Sequence, residues 1–165
     1  VYLCKHYGLN EVAEYWHQVV KINEYQKNRF ADKILDHFQR DLKGKNIAIF
    51  GWAFKSNTND SRESASISVA KKLFFSGSSI TIFDPMVSEE TIYNDIIHLW
   101  DLKFPEKNKR IQKLELSEYA KNKFDAVAIL TEWDQFKEHD FGNKVPVFDG
   151  RRILSDDKVK YRLGS

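Results

Sequence analysis

The chain has 165 residues, 42% of them hydrophobic and 30% charged, with a formal net charge of +2 at pH 7. At that size a globular chain removes roughly 70% of its unfolded surface from water, so a core of its own is within reach. The net charge is small and its signs are interleaved, which argues against nucleic acid and membrane surfaces as partners, and no stretch has the make-up of a membrane span or a secretory leader.

Val1 to Tyr7 reads as the tail of a helix, and Gly8-Leu9-Asn10 as a turn. The single cysteine, Cys4, excludes an internal disulfide and suits a reducing, cytoplasmic compartment. It sits in the apolar run V-Y-L-C and is expected to be a small structural residue rather than a nucleophile. From Glu11 to Arg40 there is neither proline nor glycine, and Val12, Trp16, Val19, Tyr25, Phe30 and Ile34 recur near helical spacing. That pattern predicts one helix of about 30 residues and roughly 45 Å. A helix so long needs something to pack on at both ends, and Tyr15 and Trp16 are large groups to leave in water.

Gly44 is the expected stop of this helix. The run Ile47 to Phe50 is too short for a helix and rich in strand formers, and Gly51 breaks it. A polar segment carrying Phe54, Lys55 and Arg62 leads into a helix from about Ser61 to Ser76, with Asp60 or Ser61 as the expected cap. Ile67, Ala70, Leu73 and Phe74 supply its buried face, and Gly77 ends it. Ser79 to Phe83 is a second strand, parallel to the first because such crossovers are right-handed. Thr91 to Leu99 reads as a helix, and Pro105 to Arg110 as a charged, solvated loop with the basic patch Lys107 to Arg110. A short strand over Gln112 to Leu116 and a helical turn over Ser117 to Lys121 follow. Ala126 to Leu130 is a third sheet strand with Thr131-Glu132-Trp133-Asp134 at its carboxyl end, and Phe136 and Phe141 are expected to cover the sheet. Val145 to Phe148 is a further strand, which brings Arg151-Arg152 to a strand end as well.

The fold class these elements imply is α/β: a Rossmann-like parallel sheet flanked by helices, preceded by a long N-terminal helix. The domain division is 1–44 for the helix and 45–165 for the α/β unit. Ligands of such sheets sit at the carboxyl ends of the strands, where Lys55, Thr131 to Asp134 and Arg151 would surround one crevice. Phe54 offers a flat apolar face and the two cations offer charge, a set that suits a nucleotide diphosphate. Only one glycine, Gly51, marks the first loop, so neither the dinucleotide fingerprint nor a P-loop is present there. The competing reading is an ordinary strand–loop–helix with Phe54 in the core, Lys55 and Arg62 solvated, and Arg151 paired with Asp149 or Asp156.

The segment 51–64, G-W-A-F-K-S-N-T-N-D-S-R-E-S, resembles the G-x-A-F-K-x-x-T-x-D-x-R-x-S signature of the UDP-glucose/GDP-mannose dehydrogenase family. The likeness continues through V-Y-L-C at 1–4, E-V-A-x-Y-W at 11–16, F-D-P at 83–85, T-E-W-D-x-F at 131–136 and F-D-G-R-R at 148–152. The last two favour the UDP-glucose branch. The resemblance implies that Phe54, Lys55 and Arg151 bind the UDP-sugar and that Arg62 reaches NAD held by a partner domain. It implies oxidation of UDP-glucose to UDP-glucuronate by two successive hydride transfers to NAD, passing through a cysteine-bound thioester. It also implies that the long helix links two nucleotide-binding domains and forms the core of a homodimer or higher homo-oligomer. The family's nucleophilic cysteine lies in a G-G-S-C sequence that these residues lack, as they lack a glycine-rich NAD loop. The resemblance therefore reaches the C-terminal half of such an enzyme, with NAD bound mainly elsewhere and no dehydrogenase activity expected of these residues alone. A related UDP-N-acetyl-mannosamine or GDP-mannose dehydrogenase and a non-catalytic nucleotide-binding or assembly module are the alternatives. Trp52 and Asn57 depart from the residues usual in the signature.

Overall fold

The computed structural model describes residues 1–103 and 108–162. Six strands form one sheet in the order β3-β2-β1-β4-β5-β6, every neighbouring pair parallel. They are β1 (Asn46–Phe50), β2 (Ser79–Phe83), β3 (Ile111–Lys113), β4 (Ala126–Ile129), β5 (Val147–Asp149) and β6 (Tyr161–Arg162). Strands β1, β2 and β4 are buried along nearly their whole length rather than on alternate residues. Continuous burial is what a parallel sheet covered on both faces requires; β1 from Ile47 and all of β4 are accordingly apolar at consecutive positions, whereas β2 interposes Thr81, whose hydroxyl donates to Asn46 at 3.2 Å.

The helices are α1 (Tyr2–His6), α2 (Asn10–His37), α3 (Ala65–Phe75), α4 (Glu89–Trp100) and α5 (Asp134–Lys137). Helix α3 touches both α2 and α4 and buries Ile67, Val69, Ala70, Leu73 and Phe74. Each large apolar side chain buried there contributes about 1.5–3 kcal/mol. Elsewhere Phe50 stands at the centre of an aromatic cluster, with Phe83, Tyr119, Phe136 and Phe141 at ring-centroid distances of 4.8, 5.6, 4.9 and 4.9 Å. Among the described residues no helix is long and apolar enough to cross a membrane.

Several boundaries differ from the sequence reading. Helix α2 ends at His37, well before Gly44, because Gln39 and Arg40 take left-handed φ values of 54° and 63° and the Arg40 N–H bonds the Leu35 carbonyl. Helix α3 starts at Ala65 and is capped by Ser64, whose hydroxyl accepts from the Ser66 N–H, rather than by Asp60 or Ser61. Strands β3 and β5 are shorter than expected, and the edge strand β6 and the short α5 had no clear periodicity to announce them. Cys4 is half-exposed on α1, a helix that buries no residue, so it is not a core residue among those described. The expected loop at Pro105 to Arg110 lies in part outside the described residues. Arg110 is not solvated: its guanidinium donates to the carbonyls of Phe74 and Ser78 and stacks 4.2 Å from the centre of the Phe74 ring.

Candidate functional site

The chain runs outward to β2 and β3 on one side of β1, and to β5 and β6 on the other side of β4. The gap between the carboxyl ends of β1 and β4 is therefore the point where strand order reverses, the usual ligand crevice of such sheets. Both loops that leave these strands carry motif residues: 51–64 after β1 and 130–134 after β4.

Gly51 opens the first loop with φ +95°, and a Cβ there would lie 2.3 Å from the Thr131 side chain. Only glycine allows the two loops to approach so closely. From Gly51 to Phe54 most backbone groups have a defined partner. The Gly51 carbonyl accepts from the Ser66 hydroxyl at 2.6 Å. The N–H groups of Trp52 and Ala53 donate to one oxygen of Asp84 at 2.7 and 3.0 Å. The Ala53 carbonyl accepts from the Thr131 hydroxyl at 2.7 Å, and the Phe54 N–H donates to the Asp60 carbonyl at 2.8 Å. The Trp52 side chain is fully buried, and its indole N–H reaches Asp95 at 2.8 Å.

Phe54 is left 49% exposed, so it is not the core residue of the competing reading. Arg151 is held from three directions. Its Nε donates to the Leu130 carbonyl at 2.6 Å and its Nη2 to the Phe54 carbonyl at 3.1 Å, while a Glu132 oxygen lies 3.4 Å from Nε. Its backbone N–H donates to Asp149 at 2.9 Å, but its guanidinium pairs with neither Asp149 nor Asp156. Asp156 instead pairs with Arg162 at 2.6 Å. By donor count, Arg151 retains both hydrogens of Nη1 and one of Nη2 for an acceptor.

Phe54 and Arg151 share the wall of a cleft of about 520 Å³ with Leu130, Gly150 and residues of α2 and α3, among them Phe30 and Val69. That volume and a largely apolar wall with a few polar groups are typical of a small-ligand site. Lys55, the next residue, is exposed, lies outside this lining and forms no hydrogen bond or ion pair among the described residues. The structure thus brings Phe54 and Arg151 together and sets Lys55 beside them.

Arg62 stands apart from the cleft lining. It is exposed and bound twice by Asp60, Nε to Oδ1 at 2.9 Å and Nη2 to Oδ2 at 2.8 Å. This pairing holds the Asp60 carboxyl down at about 2, the side-chain hydrogen bond from Arg62 being the main cause, and raises the Arg62 guanidinium. Among the described residues no cluster of three or more His, Cys, Asp or Glu could hold a metal ion.

Two acidic residues of the site lie inside the motifs F-D-P at 83–85 and F-D-G-R-R at 148–152, but the sequence reading gave neither its structural role. Asp84 was read as part of a turn, yet it is 4% exposed and accepts from residues 31, 32 and 49 positions away. Asp149, fully buried, accepts from the N–H groups of Arg151, Ile153 and Leu154 and so shapes the turn that carries Arg151. Their place in those two motifs, at the carboxyl end of a buried strand, is the signal that could have found them.

Comparison with known proteins bears on what this site serves. Residues 48–156 match the UDP binding domain of the UDP-glucose/GDP-mannose dehydrogenase family. The chain is similar to UDP-glucose 6-dehydrogenase of Drosophila melanogaster, 39% identical over 168 residues, covering 97% of this chain and 35% of that one. It is likewise similar to UDP-glucose 6-dehydrogenase of Bos taurus, 41% identical over 167 residues, covering 93% and 33%. The chain thus spans about a third of the length of the curated relatives it matches. Among solved structures, a UDP-glucose dehydrogenase from the archaeon Pyrobaculum islandicum superposes with a TM-score of 0.67 at 27% identity, over 88% of this chain and 31% of that one. A GDP-mannose dehydrogenase from Pseudomonas aeruginosa, with a TM-score of 0.62 and 18% identity over 86% of this chain and 32% of that one, shares the fold.

Proposed function

This chain belongs to the UDP-glucose/GDP-mannose dehydrogenase family through its UDP binding domain, and we propose that it forms the UDP-sugar-binding part of an NAD-dependent UDP-glucose 6-dehydrogenase. The observation that carries the reading is the convergence of an exposed Phe54 ring and the fixed Arg151 guanidinium on one cleft at the switch point of the sheet. Phe54 covers an apolar part of the nucleotide. Arg151 turns its remaining N–H groups to a phosphate, and Lys55 adds an unpaired ammonium beside it. Charged hydrogen bonds contribute about 1.5–3 kcal/mol each, so two or three of them with ring contacts approach the roughly 8 kcal/mol of micromolar affinity. Because Arg151 is already held by two carbonyls, little side-chain entropy is lost when it grips a phosphate.

The reaction of the whole enzyme would take UDP-glucose to UDP-glucuronate. NAD, when bound, accepts hydride from the sugar. Among the described residues the contribution to NAD falls to Arg62, which fits the part: Asp60 orients it on an exposed loop and leaves Nη1 free to donate to a phosphate. The crevice itself has a single glycine at the start of its first loop, Gly51, so the bulk of NAD recognition belongs to another domain. Residues 1–44 serve as the dimerisation helix in this reading, and 45–165 as the UDP-sugar-binding unit.

Calorimetric titration of the chain with UDP tests the site. The expected result is micromolar to low-millimolar binding, weakened about tenfold by either Lys55→Ala or Arg151→Ala. Absence of binding by the wild type would sink the claim that these loops suffice for the nucleotide.

A further inference from the structure

Asp84 is a buried carboxylate with no cation paired to it among the described residues. Removing such a group from water costs several kcal/mol unless hydrogen bonds compensate. Five do. Oδ2 accepts from the Trp52 N–H at 2.7 Å, the Ala53 N–H at 3.0 Å and the Trp133 indole N–H at 3.3 Å. Oδ1 accepts from the N–H groups of Met86 and Val87 at 2.9 and 2.8 Å. The donors come from three loops, those that follow β1, β2 and β4. Asp149, the other buried carboxylate at a strand end, accepts only within its own turn. Asp84 is thus the group on which three strand-end loops meet.

From this geometry we infer that Asp84 is a positioning residue for nucleotide binding: it presets the backbone of Trp52 and Ala53 so that Phe54 and Lys55 stand ready before the ligand arrives. The inference rests on the nucleotide reading of the crevice. Ala53 is pinned at both of its backbone groups, the N–H by Asp84 and the carbonyl by Thr131. The path of the chain into Phe54 is therefore set by groups that themselves sit outside the cleft lining. The same carboxylate steadies Trp133, whose neighbour Glu132 faces Arg151 at 3.4 Å. One acidic side chain thereby relates the aromatic and ammonium groups on one loop to the guanidinium across the crevice. A structure that let this loop move would lose affinity to the cost of ordering it on binding.

Two measurements on the full chain test the inference. The first is a double-mutant cycle read by UDP titration, combining Asp84→Asn with Phe54→Ala/Lys55→Ala. Asp84→Asn turns one acceptor into a donor facing N–H groups. It is expected to weaken UDP binding about tenfold in the wild-type background and by less than about twofold where Phe54 and Lys55 are already gone. An equal loss in both backgrounds, or none in either, would overturn the positioning role. A wild type that does not bind UDP would overturn the nucleotide reading instead. The second measurement needs neither a variant nor a ligand. Hydrogen exchange of the wild type is expected to show the Trp52 and Ala53 amides protected without nucleotide. Exchange at the rate of an open loop would mean that the loop is not preset, and would overturn the inference even if Asp84→Asn fails to fold.

Discussion

At Gly51 one missing side chain decides whether two loops can meet. Its φ of +95° is costly for any residue with a Cβ, and that Cβ would lie 2.3 Å from Thr131. Gly51→Ala is therefore expected to cost about 2–4 kcal/mol, the sum of a left-handed backbone penalty and overpacking. Gly142 has φ +77° but nothing within 4 Å of the added Cβ. Gly142→Ala should cost only the backbone penalty, about 1 kcal/mol, and chemical denaturation of the two variants would separate strain from collision. Equal losses would refute the role given to the Gly51–Thr131 approach. The placement of Phe54, Lys55 and Arg151 in loops at strand ends was legible because each lies within a few residues of an apolar run. The role of Asp84 was not, although F-D-P marks its position, since its donors at Trp52, Ala53 and Trp133 are brought to it only by the parallel pairing of β1, β2 and β4.

Between elements, the joint of α2 with α3 has an electrostatic seam. Asp32 on α2 accepts from Lys72 on α3 at 2.9 Å and from Arg40 at 3.0 Å. The Lys72 hydrogen bond is the main cause that lowers the Asp32 carboxyl below its ordinary value. A carboxylate lowered in the folded state binds fewer protons there than in the unfolded chain. Its stabilisation is therefore complete above the ordinary carboxyl pKa of about 4 and fades as pH falls through the lowered folded value. Asp32→Asn is expected to cost about 0.5–1 kcal/mol at neutral pH, with the gap to the wild type closing below about pH 4 in thermal melts. A gap that persists in strong acid would assign the effect to packing. At this scale the positions of the helices and strands were readable, while their ends were not. Gly44 looked like the stop of α2, but the helix had already turned at Gln39 and Arg40, where two left-handed residues and the Leu35 carbonyl close it. Ser64 rather than Asp60 caps α3 because the helix begins at Ala65, and Asp60 is bound instead by Arg62.

For the molecule as a whole, α2 is the element with two lives. Its second half buries Phe30, Ala31, Ile34 and Leu35 in the common core, whereas its first half buries only Ala13. Val12, Trp16 and Val20 recur four residues apart and are 43%, 49% and 49% exposed. An apolar stripe at that spacing is a helix-packing face. Sedimentation is expected to show a concentration-dependent dimer that Trp16→Glu shifts towards monomer, and a wild type monomeric at all concentrations would refute the dimerisation role. The sequence by itself determined the α/β class, the long helix, five of the six strands and the position of Phe54, Lys55 and Arg151 in loops at strand ends. Those follow from apolar periodicity and from motifs confined to neighbouring positions, which need no knowledge of the fold. Only the tertiary structure decided that Arg151 bonds the carbonyls of Leu130 and Phe54, that α2 supplies a wall of the cleft, and that Asp84 ties three loops together. Hydrogen bonds across tens of residues exist only once parallel strands bring their carboxyl ends to one edge, and no local pattern encodes that meeting.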